Sequence, residues 1–162
     1  MDRRLVAIIV SAALLALVVV AVLVARGGDD DGAPEISAEL SEKPEVEVPE
    51  GPPPDGLEIE DLVTGEGTEA TAGSQVTVQY VGVDFETGEE FDTSWDQPEP
   101  FQFQLGAGGV IPGCEEGVEG MRVGGRRQLV IPPDLAYGKQ GSPPTIGRNA
   151  TLVFVVDLVS AG

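Results

Sequence analysis

Apolar and polar residues alternate through the C-terminal two-thirds of this chain, and that period of two constrains its fold more than any other feature. Val76, Val78 and Tyr80 share one face of an extended segment, and Leu152, Phe154, Val156 and Leu158 share one face of another. Phe101, Phe103 and Leu105 repeat the alternation, as do Leu129 and Ile131. Successive side chains of a strand point to opposite faces, so these segments read as half-buried antiparallel strands. Only residues 112–121 look helical. Pro112 suits a first turn, Cys114, Val118 and Met121 share a face at i, i+4, i+7, and Glu115, Glu116 and Glu119 fall opposite. The expected class is α+β, one short helix packed across one antiparallel sheet.

Two segments of different character precede this pattern. Residues 5–25 are 21 consecutive positions with nothing more polar than Ser11. As a helix rising about 1.5 Å per residue, such a run spans the roughly 30 Å hydrocarbon core of a bilayer. It is longer than the apolar stretch of a cleaved signal peptide, and Leu23 stands where a small residue is preferred before a cut at Ala25. The expectation is an uncleaved transmembrane signal anchor. Arg3 and Arg4 assign residues 1–4 to the cytoplasm and the rest of the chain to its far side. Residues 26–56 follow as a spacer, with ten acidic residues and six prolines between positions 27 and 56 and no aromatic group. Such a stretch is expected to stay disordered, because it has little to bury against the entropy of ordering. Residues 57–162 are then the folded domain.

Charge and composition exclude several functions. A formal net charge of −19 argues against nucleic acid as a partner, since phosphate backbones are bound by clustered Lys and Arg. The absence of histidine removes the commonest general base and metal ligand, and leaves Ser94 and Ser142 with no familiar activator. The single cysteine, Cys114, rules out an internal disulfide and a thiolate zinc cage. The Asp29-Asp-Asp31 cluster lacks the alternation of a calcium loop. Gly65-Glu-Gly67 is followed by a turn and a strand rather than a phosphate-binding helix. Asn149-Ala-Thr151 opens a strand and reads as structure rather than a glycosylation acceptor. No metal and no cofactor are expected.

Three motifs carry more information. Val110-Ile-Pro-Gly-Cys-Glu-Glu-Gly-Val118, Leu129-Val-Ile-Pro-Pro-Asp-Leu-Ala-Tyr-Gly138 and Ala150-Thr-Leu-Val-Phe-Val-Val-Asp-Leu158 occur in that order. Upstream stand Val76-Thr-Val-Gln-Tyr-Val-Gly82, Phe91-Asp-Thr-Ser94 and Pro100-Phe-Gln-Phe-Gln-Leu-Gly106. Together they resemble the FKBP-type peptidyl-prolyl cis-trans isomerases over about residues 57–162. Periodicity alone leaves Tyr80, Phe91, Phe101, Val110, Ile111, Tyr137 and Phe154 open as either core or pocket, and Trp95 open as packing or binding.

The resemblance implies a five-stranded half-barrel sheet wrapped around the single helix. It also implies a pocket for a prolyl ring, with Tyr80, Phe91, Phe101, Val110, Cys114, Ala136, Ile146 and Phe154 as substrate-binding residues. Asp92, the Ile111 backbone N–H and the Tyr137 hydroxyl are the implied catalytic contacts, to substrate or to a macrolide inhibitor. Three positions depart from the best-known pattern: Cys114 stands where an indole often forms the pocket floor, Gln97 where an arginine often pairs with the counterpart of Asp92, and Ser142 where a histidine often sits on the flap. A deeper, less braced pocket follows.

Rotation about an X-Pro bond is slowed by a barrier of about 18 to 20 kcal/mol and needs no bond made or broken. It therefore suits a chain without histidine or metal. The function expected is isomerisation of proline-containing unfolded or nascent exported polypeptides by a membrane-anchored, extracytoplasmic monomer held in the lipid bilayer through residues 5–25. The alternative is a non-catalytic peptide-binding or chaperone module using the same cleft.

Overall fold

In the computed structural model, residues 40–162 are described. The apolar run 5–25 and the first part of the acidic segment lie outside them. Among the described residues no helix is long and apolar enough to cross a membrane.

The strands are β1 (Glu58–Val63), β2 (Gln75–Asp84), β3 (Glu90–Thr93), β4 (Phe101–Gln104), β5 (Arg126–Ile131) and β6 (Leu152–Ala161), with one helix, α1 (Pro112–Val118). All pairings are antiparallel, in the order β1-β5-β6-β2-β3, and β4 also pairs with β2. Six strand segments thus replace the five expected, and the reason is local. β4 pairs with the first half of β2 (Val78 opposite Phe101) and β3 with the second (Val81 opposite Thr93), so both occupy one lateral position. The gap is bridged by side chains: Tyr80 N–H donates to Ser94 Oγ at 2.8 Å, and Thr93 Oγ1–H donates to the Tyr80 carbonyl at 2.9 Å. Residues 94–100 bulge out between them, and Pro98 and Pro100 have no N–H to give a ladder.

The inner face carries the alternation read from the sequence. Val76, Val78, Leu129, Ile131, Leu152, Phe154, Val156 and Leu158 are buried there in one cluster with Val118 and Met121. The helix ends at Val118 rather than reaching Met121, because the chain turns at Gly120, whose φ is +82°. Beside Val118 and Cys114, which pack on the core, the helix also approaches the sheet closely through glycines. A Cβ at Gly113 would collide with Ile131, and one at Gly117 with Leu129. The Gly113/Gly117 pair, spaced i, i+4, lets seven residues of helix settle directly onto β5. Arg127 secures the far end, donating from Nη1 to the Gly117 carbonyl at 2.9 Å and from Nε to Asp61 Oδ1 at 2.6 Å.

The boundary at residue 57 needs correction. Leu40 is buried, and Val46 and Val48, like Trp95, pack on the outer face of the sheet against Val81, Val83, Phe85, Val130 and Val153. The acidic segment therefore belongs to the domain from residue 40 on. The physical reason is in the alternation Pro44-Glu-Val-Glu-Val48, whose even positions are partly buried while Glu45 and Glu47 are exposed. Strand residues at odd positions of β2 and β6 make the outer face apolar too, and it requires a cover. Trp95 belongs to this outer cluster.

Candidate active site

Four aromatic rings line one end of the inner face, and their spacing is set by a glycine. Phe91 on β3 meets Phe154 on β6 edge to face, with centroids 5.5 Å apart at 83°. Tyr80 lies 6.1 Å from Phe154 and 5.8 Å from Phe101, the latter at 84°. These are the geometries that aromatic quadrupoles favour. Between Phe91 and Phe154 sits Gly82 on β2, where a Cβ would stand 2.7 Å from Phe91 Cζ and 2.8 Å from Phe154 Cε1. Any side chain at this position would prise the two rings apart.

The rings enclose a cavity of about 270 Å³, closed by Val110, Ile111 and Cys114 at the start of α1 and by Tyr137. Gly108 N–H donates to Glu115 Oε1 at 2.8 Å, which ties the loop before Val110 to the helix. Ile111 takes the N-cap position in extended conformation. Its carbonyl accepts from the Cys114 and Glu115 amides at 3.0 and 3.3 Å. Its N–H has no acceptor among the described residues, and it stands at the cavity wall. Tyr137 follows the 3-10 turn Pro133–Leu135 and is 40% exposed, so it forms the lip rather than the floor.

Two polar groups of the cavity wall are joined. The Tyr80 hydroxyl donates to Asp92 Oδ2 at 2.8 Å. Burial and the Asp92 carboxylate together hold the Tyr80 hydroxyl well above the ordinary tyrosine range, and burial raises that of Tyr137. Both remain neutral donors at any physiological pH. Burial alone pushes the Cys114 thiol up to about 12, so it is a small apolar wall group and not a nucleophile.

Of the residues singled out from sequence, Tyr80, Phe91, Asp92, Phe101, Val110, Ile111, Cys114, Tyr137 and Phe154 are brought together here. Ala136 and Ile146 are not among the lining residues. Ile146 is 6% exposed and Ala136 packs against the same core, so both sit behind the wall. Gln97 is directed to a separate depression with Ser94, Pro98 and Glu99, which leaves Tyr80 rather than residue 97 as the partner of Asp92. Ser142 pairs in a tight bridge with Ile146 and is absent from the lining. The lining residues that went unassigned, Val78, Val118, Val156 and Gly109, include three on the inward faces already legible as core.

Residues 66–159 match the family model described as FKBP-type peptidyl-prolyl cis-trans isomerase. A probable FK506-binding protein of Corynebacterium glutamicum is 59% identical over 121 residues, covering 74% of this chain and 99% of the relative. An FK506-binding protein of Streptomyces anulatus is 57% identical over 120 residues, covering 74% of this chain and 97% of the relative. Both matches are longer than residues 57–162 and so extend into the segment before β1. The crystal structure of AtFKBP13 superposes with a TM-score of 0.62 at 35% identity, over 67% of this chain and 95% of that one. That of FkpA from Escherichia coli gives 0.59 at 42% identity, over 65% and 48%. An antiparallel sheet around one short helix, an aromatic cavity at its end and the match across most of the folded residues make one conclusion: the chain belongs to the FKBP-type peptidyl-prolyl cis-trans isomerases.

Proposed function

We propose that this isomerase acts on X-Pro bonds of exported polypeptides, in a cavity that favours the twisted amide over the planar one. The observation that carries the reading is the pairing of an aromatic-lined cavity with polar groups at its edge. In the planar amide, conjugation makes the carbonyl dipolar. At the twisted transition state that conjugation is lost, so an apolar enclosure of Tyr80, Phe91, Phe101 and Phe154 disfavours the ground state. The Ile111 N–H, which has no acceptor of its own, is available to the carbonyl before the proline, and the Tyr137 hydroxyl to a neighbouring one. Asp92, held by Tyr80, faces the same space.

Shortening tens of seconds to milliseconds is a factor of about 10⁴, or roughly 5.5 kcal/mol of differential stabilisation. Desolvation and two or three hydrogen bonds at about 1 kcal/mol or more each are of the right size. The test is kcat/KM for a proline tetrapeptide with the full chain. Saturable acceleration that a macrolide of the FK506 type abolishes supports the reading. Binding of unfolded protein without acceleration transfers it to the chaperone alternative.

The same proposal places the domain outside the cytoplasm, with residues 5–25 as its anchor in the bilayer and the chain working as a monomer. The support is the 21-residue apolar run after Arg3 and Arg4. Protease added to spheroplasts should remove the domain. Protection until the membrane is broken overturns the orientation, and a free domain beginning near Arg26 shows that the segment was cleaved.

A further inference from the structure

Residues 40–48 cross the outer face of the sheet without joining it as a strand. Leu40 is 4% exposed, and Val46 and Val48, like Trp95, pack against the buried cluster of Val81, Val83, Phe85, Val130 and Val153. Two polar anchors hold the backbone down. Arg126 Nη2 donates to the Glu42 carbonyl at 3.1 Å while the same guanidinium holds the buried Asp157 at 2.6 and 2.7 Å. Lys43 Nζ lies 3.0 Å from Glu90 Oε1 and 3.9 Å from Asp96 Oδ1. The segment therefore reaches from the β5-β6 pair to β3.

β3 has particular need of such a contact. It is four residues long and ends the sheet order, so β2 is its only partner, and it carries Phe91 and Asp92. Glu90, which Lys43 holds, precedes Phe91. Trp95, partly buried against the outer cluster, follows Asp92 by three residues, and its backbone N–H donates to Thr93 Oγ1 at 3.2 Å. The groups near β3 that residues 40–48 hold, Glu90 and Asp96, are absent from the cavity lining, and so is Trp95 on the outer cluster.

We propose that residues 40–48 are a strap that positions β3 for catalysis, so that Lys43, Val46 and Val48 are positioning residues of the isomerase although none of them lines the cavity. A short edge strand fixed from one side only would let Phe91 and Asp92 drift relative to Phe154 and Tyr80. The strap fixes it from outside. The segment that ties the domain to the N-terminal part of the chain is then the segment on which the site depends, and deleting it is not neutral.

This rests on the isomerase activity, and the test separates the two. The full chain is compared with Val46→Ser/Val48→Ser, Lys43→Gln and Lys43→Arg for three readouts, each taken in the cold after folding is confirmed by circular dichroism. These are kcat and KM on a proline tetrapeptide, affinity for a macrolide of the FK506 type, and emission of Trp95, the only tryptophan. In the double variant the emission should move to longer wavelength while kcat/KM falls about tenfold, the scale of a sub-ångström to ångström misplacement in a site. Lys43→Gln should lose about two- to threefold, as an exposed ion pair allows, and Lys43→Arg should restore it. Shifted emission with kcat/KM and macrolide affinity at parent values overturns the proposal, and so does unshifted emission. If the double variant does not fold, parent-level values in Lys43→Gln overturn it. If the parent shows no turnover, the isomerase reading has failed, and macrolide affinity across the same variants still decides the strap.

Discussion

Tyr80 and Asp92 face each other across the β2-β3 pair, the tyrosine hydroxyl donating to Asp92 Oδ2 at 2.8 Å. With Gln97 turned to another depression, this is the one side-chain hydrogen bond that orients Asp92 among the described residues. Tyr80→Phe should therefore leave the aromatic wall in place and release the carboxylate. The loss of one hydrogen bond to a partly solvated charge is on the order of 1 to 2 kcal/mol, or about 5- to 30-fold in kcat/KM. Steady-state kinetics on the folded variant check it, and parent-level kcat/KM would show that Asp92 needs no orientation.

Gly82 is expected to tolerate no side chain. The Cβ of Gly82→Ala would stand 2.7 Å from Phe91 and 2.8 Å from Phe154, so one ring must move and the edge-to-face pair opens. Overpacking of this kind costs about 1 to 3 kcal/mol. Denaturant unfolding should show that loss, and kcat/KM should drop by more than in Tyr80→Phe because the cavity changes shape. Unaltered stability would mean the rings have room that the geometry does not show.

These two residues also mark how far the sequence could be read. The inward alternation from Val76 to Leu158 made the sheet and its core legible, and the motif order made the pocket legible through resemblance. Gly82 was visible only as the end of a motif, because a missing side chain carries no periodic signal. The close approach at Gly113 and Gly117 is hidden for the same reason, whereas the face of Cys114, Val118 and Met121 is legible and does pack on the core. The division of one sheet edge between β3 and β4 depends on Ser94 and Thr93 side chains taking over backbone hydrogen bonds, which pattern alone does not specify. The packing of Val46 and Val48 did leave a trace, the alternation Pro44-Glu-Val-Glu-Val48, but net acidity and proline content outweighed it.

The thiol of Cys114 offers a contrast with the polar wall. Burial pushes it up to about 12, so it carries no charge and takes no proton in the reaction. Cys114→Ala should lower kcat/KM by less than about threefold and cost on the order of 1 kcal/mol of stability through the small cavity left behind. Abolished turnover in a folded Cys114→Ala protein would require a chemical role for sulfur and would overturn the mechanism.

Activity should be flat from about pH 6 to about pH 9, since the chain has no histidine and its cavity hydroxyls and thiol are all shifted upward. Stability follows the same groups with a definite sign. Tyr80 and Tyr137 hold their protons more tightly folded than unfolded. Their contribution is fully present below the unfolded tyrosine value of about 10 and is lost as pH rises from there towards the folded values, while that of the Cys114 thiol begins to be lost earlier, above its unfolded value of about 9. Thermal melts across the alkaline range should show a decline beginning near pH 9 and steepening near pH 10, the second part weaker in Tyr80→Phe. A decline that begins near neutrality would point to a group outside the cavity.

Arg127 joins three elements that would otherwise meet only through apolar contact. From β5 it pairs with Asp61 on β1 and donates to the Gly117 and Glu119 carbonyls at the end of α1, at 2.9 and 3.4 Å. A cation at a helix C-terminus is favourable, and a helix of seven residues has few other means of satisfying its last carbonyls. Asp61 is half exposed whereas the Arg127 side chain is 12% exposed, so the ion pair should be the smaller share. Arg127→Met is expected to cost about 2 kcal/mol and Asp61→Asn less than 1, with a coupling energy between them below 1 kcal/mol. Because α1 carries Ile111 at its N-cap, the loss at the other end should also raise KM for the proline peptide. A double-mutant cycle by denaturant unfolding checks the division. Coupling as large as the whole Arg127→Met loss would assign the stabilisation to the ion pair and leave the helix end held by its glycine contacts alone.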